Sequence, residues 1–149
     1  MEQQQPLMEN QSVMVFKLGT KEYELNPKQR RFIESKAKSI AYVSGRGAGK
    51  SHALILKIIE LMLKYPNNYG LLGREDYSDL RDTTEKDFYD VCPPQYIAER
   101  HKQEHQVKFF NGSELIFRGL KDVSITSIRS LNLGFYALDE VGFSGGDSS

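Results

Sequence analysis

Short apolar runs alternate with amphipathic stretches along this chain, which predicts an α/β fold: a sheet with helices on both faces. Two observations carry that expectation. The run Ile40-Ala41-Tyr42-Val43 leads into a glycine-rich segment and then a long apolar-faced stretch from His52 to Lys64, the order strand, loop, helix. Further on, Leu133 to Leu138 reads as an apolar strand, interrupted by Gly134, that ends in Asp139-Glu140 and so places acids at its tip.

The elements follow in order. Met1 to Ser12 is rich in Gln and Glu and reads as a flexible N-terminus, with the folded domain spanning 13–149. Val13 to Leu18 and Lys21 to Leu25 flank Gly19-Thr20 as the arms of a hairpin. Asn26 then suits a helix cap and Pro27 a first turn, opening a helix that runs to about Lys38 with Phe32 and Ile33 inward. Leu54, Ile55, Ile58, Ile59, Leu61 and Met62 give the next helix its apolar face, and Tyr65-Pro66-Asn67-Asn68 ends it. Tyr69 to Leu72 is a second strand. Ser78 caps a helix to Val91, which Pro93-Pro94 breaks. Gln106 to Phe110 and Glu114 to Phe117 flank Asn111-Gly112, a two-residue hairpin signal. Val123 to Ser130, with β-branched residues among hydroxyls, is ambiguous.

Composition bounds the chemistry. The chain has 149 residues, with 20 Lys and Arg against 20 Asp and Glu. The balance lacks the basic excess of an autonomous nucleic-acid binder but leaves room for a local basic surface. Cys92 stands alone, which excludes an internal disulfide and a cysteine metal cluster and fits a reducing compartment. It reads as a small buried residue. His52, His101 and His105 lack metal-ligand spacing, and the last two, in the charged run Glu99 to Glu104 and just after it, read as surface residues. No apolar run reaches membrane-spanning length.

Ser44-Gly45-Arg46-Gly47-Ala48-Gly49-Lys50-Ser51 has the spacing of a phosphate-binding P-loop, with Ser44 where the first glycine usually stands. The glycines let consecutive N–H groups point inward, and the following helix adds its positive end. Lys50 is placed to reach the β- and γ-phosphates, and the Ser51 hydroxyl to bind Mg²⁺. After such a loop, Phe135 to Glu140 reads as a Walker B strand, with Asp139 holding Mg²⁺ through its water shell. Glu140 then orients or deprotonates the attacking water. Together these predict a P-loop NTPase three-layer sandwich with a mostly parallel sheet.

Other residues carry two readings. Gln29 offers the donor and acceptor that adenine requires, or is a solvated helix residue. Arg46 stabilises phosphate charge in cis, or pairs with a neighbouring acid. Arg74 lies at the sheet edge where ligands bind, or pairs with Glu75 or Asp76. Arg129, in a loop before Asp139, is placed to face a neighbouring subunit.

The ordered set Leu25-Asn26-Pro27-Lys28-Gln29, Gly45 to Ser51, Gly73-Arg74-Glu75 with Leu80-Arg81-Asp82-Thr83, Phe117-Arg118-Gly119-Leu120, Ile128-Arg129-Ser130 and Leu138-Asp139-Glu140 resembles the N-terminal ATPase half of tailed-phage terminase large subunits, over about residues 20 to 143. That resemblance implies a motor that hydrolyses ATP with Mg²⁺ to drive double-stranded DNA into a procapsid. It implies a homo-oligomeric ring docked on the portal protein in the host cytoplasm, with a small terminase subunit as partner and no membrane. By position, Gln29 matches the adenine-contacting motif and Ser44, Gly45, Arg46, Gly47, Ala48, Gly49, Lys50 and Ser51 the ATP-binding loop. Ser51 and Asp139 match the metal positions. Glu140 matches the catalytic acid, Arg46 the P-loop arginine and Arg129 an intersubunit arginine.

Such proteins continue with a coupling motif and a nuclease domain, whereas this sequence stops at Ser149. The resemblance therefore implies a truncated or split-gene piece without the nuclease domain and without the central strand that follows Walker B. Two alternatives remain at this level: a helicase-like P-loop ATPase acting on nucleic acid, and a truncated nucleotide-binding module without turnover.

Overall fold

The computed structural model describes residues 14–37, 49–76, 78, 80–122, 126–127 and 130–139. The strand read at Ile40 to Val43 and the flexible N-terminus lie outside them. The chain divides into two compact units, Met1–Lys57 and Ile58–Ser149, with the boundary inside one helix.

In the first unit, β1 (Met14–Leu18) and β2 (Lys21–Leu25) pair antiparallel, with Leu18 opposite Lys21. The connection is Gly19-Thr20, and Gly19 has a φ of 60°, the left-handed value a II′ turn needs at its first central residue. Burial alternates along the strands, so Phe16, Leu18, Tyr23 and Leu25 face inward while Lys17 and Glu22 pair across the wet face. An isolated hairpin is marginal in water, and helix α1 (Pro27–Glu34) supplies the apolar Ile33 that joins Leu25 in this unit's core.

A reciprocal capping box starts α1. The Asn26 side chain accepts from the Gln29 N–H at 2.8 Å, and Gln29 Oε1 accepts from the Asn26 N–H at 2.9 Å. The helix stops at Glu34, short of the expected Lys38, because Ser35 turns extended with ψ 135°. Lys57 holds this ending: its Nζ donates to the Ile33 carbonyl at 2.5 Å and the Ser35 carbonyl at 2.7 Å.

Helix α2 spans Lys50–Lys64, beginning two residues before the apolar stretch read from the sequence. Within the second unit its end is fastened by polar side chains. Asn111 Nδ2 donates to the Met62 carbonyl at 2.8 Å. The fully buried Ser113 hydroxyl lies 2.8 Å from the Met62 carbonyl and 2.7 Å from that of Tyr65. These groups satisfy carbonyls that a helix end leaves without intrahelical donors.

Among the described residues the second unit holds a five-stranded sheet: β3 (Tyr69–Arg74), β4 (Ile97–His101), β5 (Gln106–Phe109), β6 (Glu114–Gly119) and β7 (Phe135–Asp139), in the order β4-β5-β6-β3-β7. β3 runs parallel to β6 and β7, whereas β4-β5 and β5-β6 are antiparallel. The sheet is therefore mixed, and the expectation of a mostly parallel sheet is corrected. The reason is local: tight turns join β4, β5 and β6, and a tight turn can only return the chain antiparallel. The α/β class holds. Central β3 is buried at Gly70 to Gly73 as a strand with two covered faces must be, and the Phe135 ring fills the space over Gly70 where a Cβ would collide.

The Asn111-Gly112 hairpin forms, but with three loop residues rather than two. Phe109 N–H donates to the Ser113 carbonyl and Gly112 N–H to the Phe109 carbonyl, with Gly112 at φ 88°. This is the turn-plus-glycine-bulge arrangement of three-residue hairpins. Of the single helix expected from Ser78 to Val91, the described residues show Ser78 helical, a π-helical segment at Leu80–Glu85 and then α3, Lys86–Val91. Ser78 does not cap it: its N–H and hydroxyl both donate to Asp76 Oδ1, at 2.9 and 2.6 Å, so Asp76 makes the local turn. Phe88 anchors α3 in the core against Phe117 and Phe109, ring centroids 5.5 and 6.4 Å away. Cys92 is buried, as read from the sequence.

Candidate functional site

In the first unit the described part of the glycine-rich loop is Gly49-Lys50-Ser51. Gly49 has a φ of 76° and its carbonyl accepts the Ala53 N–H at 3.0 Å, so it sits at the mouth of α2 with Lys50 and Ser51 in the first turn. The first-turn N–H groups of a helix have no intrahelical acceptor and carry its positive end, which suits an anion. Gln29 closes on this loop end: its Nε2 donates to the Gly49 carbonyl at 3.1 Å. A Cβ on Gly49 would strike that amide, so the glycine is required by conformation and by space.

Gln29 is buried, which corrects its alternative reading as a solvated helix residue. Its amide already serves two partners, the Asn26 N–H through Oε1 and the Gly49 carbonyl through Nε2. One N–H of Nε2 remains beyond these. His52 packs edge-on against Tyr23, ring centroids 5.1 Å apart.

In the second unit Asp139 ends β7 and is 5% exposed. Its parallel neighbour in register is Arg74, the last residue of β3. Between them comes Thr84 from the π-helical segment, whose hydroxyl donates to Asp139 Oδ2 at 3.0 Å and accepts from Arg74 Nη1 at 3.1 Å. Arg74 Nη1 also donates to the Thr83 hydroxyl at 2.7 Å. Arg74 thus lies at the sheet tip, as one of its two readings had it, beside an acid that the sequence singled out. Thr84 was missed; its only sequence signal is its place directly after Leu80-Arg81-Asp82-Thr83.

A second polar cleft, about 370 Å³, lies in the same unit and is lined by Arg81, Glu85, Lys86, Tyr89, Arg100 and His105, among others. Its charges are largely matched locally. His105 Nδ1 lies 3.2 Å from the buried Glu85 carboxylate, so His105 is less exposed than its charged sequence context suggested. Lys86 pairs with Asp90 at 3.0 Å, and the Arg100 guanidinium stacks 3.6 Å over the Tyr89 ring. Burial pushes the Tyr89 hydroxyl up to about 12, against the opposing pull of Arg100.

Ser44, Gly45, Arg46, Gly47, Ala48, Arg129 and Glu140 lie outside the described residues. Among the described residues, no helix is long and apolar enough to cross a membrane.

An α/β protein with a mixed sheet, an acid at the tip of a parallel strand and Gly-Lys-Ser at a helix mouth is the class that fold and site define. A family model described as phage terminase large subunit matches residues 36–141, and the chain belongs to that family. The matched span contains Ser44 to Ser51, Arg129, Asp139 and Glu140, and begins after Gln29. Neither a curated protein nor a solved structure matches the chain.

Proposed function

We propose that this chain carries the ATPase function of a phage terminase large subunit, on a P-loop sandwich, and that hydrolysis moves double-stranded DNA into a procapsid. The observation that carries the reading is Gly49-Lys50-Ser51 at the start of α2, within a sequence of the terminase family. The residue chemistry of each unit suits ATP and Mg²⁺: in the first, a lysine beside a helix N-terminus for phosphate and the Ser51 hydroxyl as a hard oxygen donor; in the second, the Asp139 carboxylate, suited to hold Mg²⁺ through its water shell. Bound Mg²⁺ would neutralise phosphate charge.

The chain's own residues divide the work. Lys50 balances phosphate charge, Gln29 turns its remaining N–H toward adenine, and Glu140 orients the attacking water. Arg46 acts on the phosphates in cis and Arg129 in a neighbouring subunit of a ring; an arginine supplied in trans is worth ~10³–10⁵ in rate. Portal protein and a small terminase subunit are the partners that this role requires, in the host cytoplasm. The helicase-like alternative has no supporting observation beyond the shared P-loop pattern.

Fluorescent-nucleotide binding and phosphate release by the intact protein test the reading. Lys50→Ala should weaken ATP binding, and Glu140→Gln should keep binding while losing hydrolysis. Unaltered affinity in the first variant removes the phosphate role, and unchanged turnover in the second removes the catalytic acid. Mixing Arg129→Ala with Glu140→Gln subunits should restore some activity if Arg129 acts across an interface.

A further inference from the structure

The geometry points to Thr84 as a positioning residue that fixes the Asp139 carboxylate for its metal role, an inference that rests on the nucleotide reading above. Three elements meet here. β3 ends at Arg74 and parallel β7 ends at Asp139, in register. The π-helical segment Leu80–Glu85 brings Thr83 and Thr84 to the same guanidinium nitrogen, at 2.7 and 3.1 Å. Isolated π turns are uncommon and occur often at functional sites.

The direction of the hydrogen bonds is the informative part. An arginine can only donate, so the Thr84 oxygen accepts from Arg74 and its single proton is left for a different acceptor. That acceptor is Asp139 Oδ2, 3.0 Å away. Thr84 is 2% exposed and Asp139 5%, so solvent competes little for this bond. The polarised chain Arg74 to Thr84 to Asp139 restrains rotation of the carboxylate through Oδ2. Such outer partners of metal-ligating carboxylates typically cost 10–100-fold in metal affinity when lost.

A plain structural staple between the π-helical segment and the sheet would move melting temperature alone. Mn²⁺ separates the two roles, because its uptake in the presence of ATP is read by electron paramagnetic resonance without turnover. In the intact protein, Thr84→Val should raise the half-saturating Mn²⁺ concentration by roughly tenfold or more. ATP binding in EDTA should stay within about twofold of the parent, and Thr84→Ser should recover most of the Mn²⁺ affinity, since it keeps the hydroxyl. Thr84→Ala supplies a second loss of the hydroxyl if the valine variant does not fold.

Equal Mn²⁺ half-saturation in parent and hydroxyl-free variants overturns the assignment, as does an equal loss in the serine variant. If the parent takes up no Mn²⁺ with ATP, the nucleotide reading itself fails and this inference with it; if Asp139→Asn takes it up as well as the parent, the metal role of Asp139 fails and this inference with it. The failures are therefore distinguishable.

Discussion

Gln29 reaches 20 residues along the chain to donate to the Gly49 carbonyl at 3.1 Å, joining the first turn of α1 to the mouth of α2. The same side chain accepts the Asn26 N–H, so one amide both caps a helix and holds the end of the glycine-rich loop. Gly49→Ala should therefore be destabilising twice over: a left-handed alanine costs ~1–2 kcal/mol, and its Cβ must also displace the amide. Urea denaturation of the single variants and of Gly49→Ala with Gln29→Ala checks this. The double variant should lose less than the sum, because the collision vanishes with the amide.

Asn26→Ala and Gln29→Ala both dismantle the capping box and should each cost ~0.5–2 kcal/mol in folding stability. Only Gln29→Ala should also weaken ATP binding while leaving GTP binding nearly unchanged. Calorimetric titration with both nucleotides decides the matter; equal losses for the two variants would assign Gln29 a purely structural role.

Ser113→Ala should destabilise by ~1–3 kcal/mol, since it strips a buried donor from carbonyls at the end of α2. Asn111→Ala should cost less, because Asn111 is part-buried and water can replace it. Thermal melts of the two variants give the order.

Tyr89 predicts an alkaline limit. With its folded pKa near 12 against an ordinary value of 10.0, the native state holds a proton that the unfolded chain releases over that interval. Its stabilising contribution is therefore complete below pH 10 and is lost as pH rises towards 12. Tyr89→Phe should flatten the fall in urea midpoint across that window, and absorbance titration should show one tyrosine ionising late.

What the sequence disclosed was mostly local. Gly19-Thr20, Asn26-Pro27 and Asn111-Gly112 each write a turn or cap into a few residues, and the α/β class follows from alternating periods. What it concealed was pairing across distance. β4 was not anticipated because Ile97-Ala98-Glu99-Arg100-His101 has no apolar alternation; it is a strand through hydrogen bonds to β5 and stays largely exposed. The π-helical segment kept a helical pattern while shifting Thr84 onto Asp139, a contact 55 residues apart that no spacing reveals. Gln29 was legible as an amide of interest, but its burial against Gly49 was not.

β4 ends the described sheet with Glu99, Arg100 and His101, and a register shift between Ile97 and Glu99 distorts its ladder. A free strand edge is an adhesive surface, and charge with an irregular ladder makes it a poor template. Along this edge, copies of the chain can crowd together without being drawn into continuous sheet. Contacts made at β4 are then selected by side chains rather than by bare backbone.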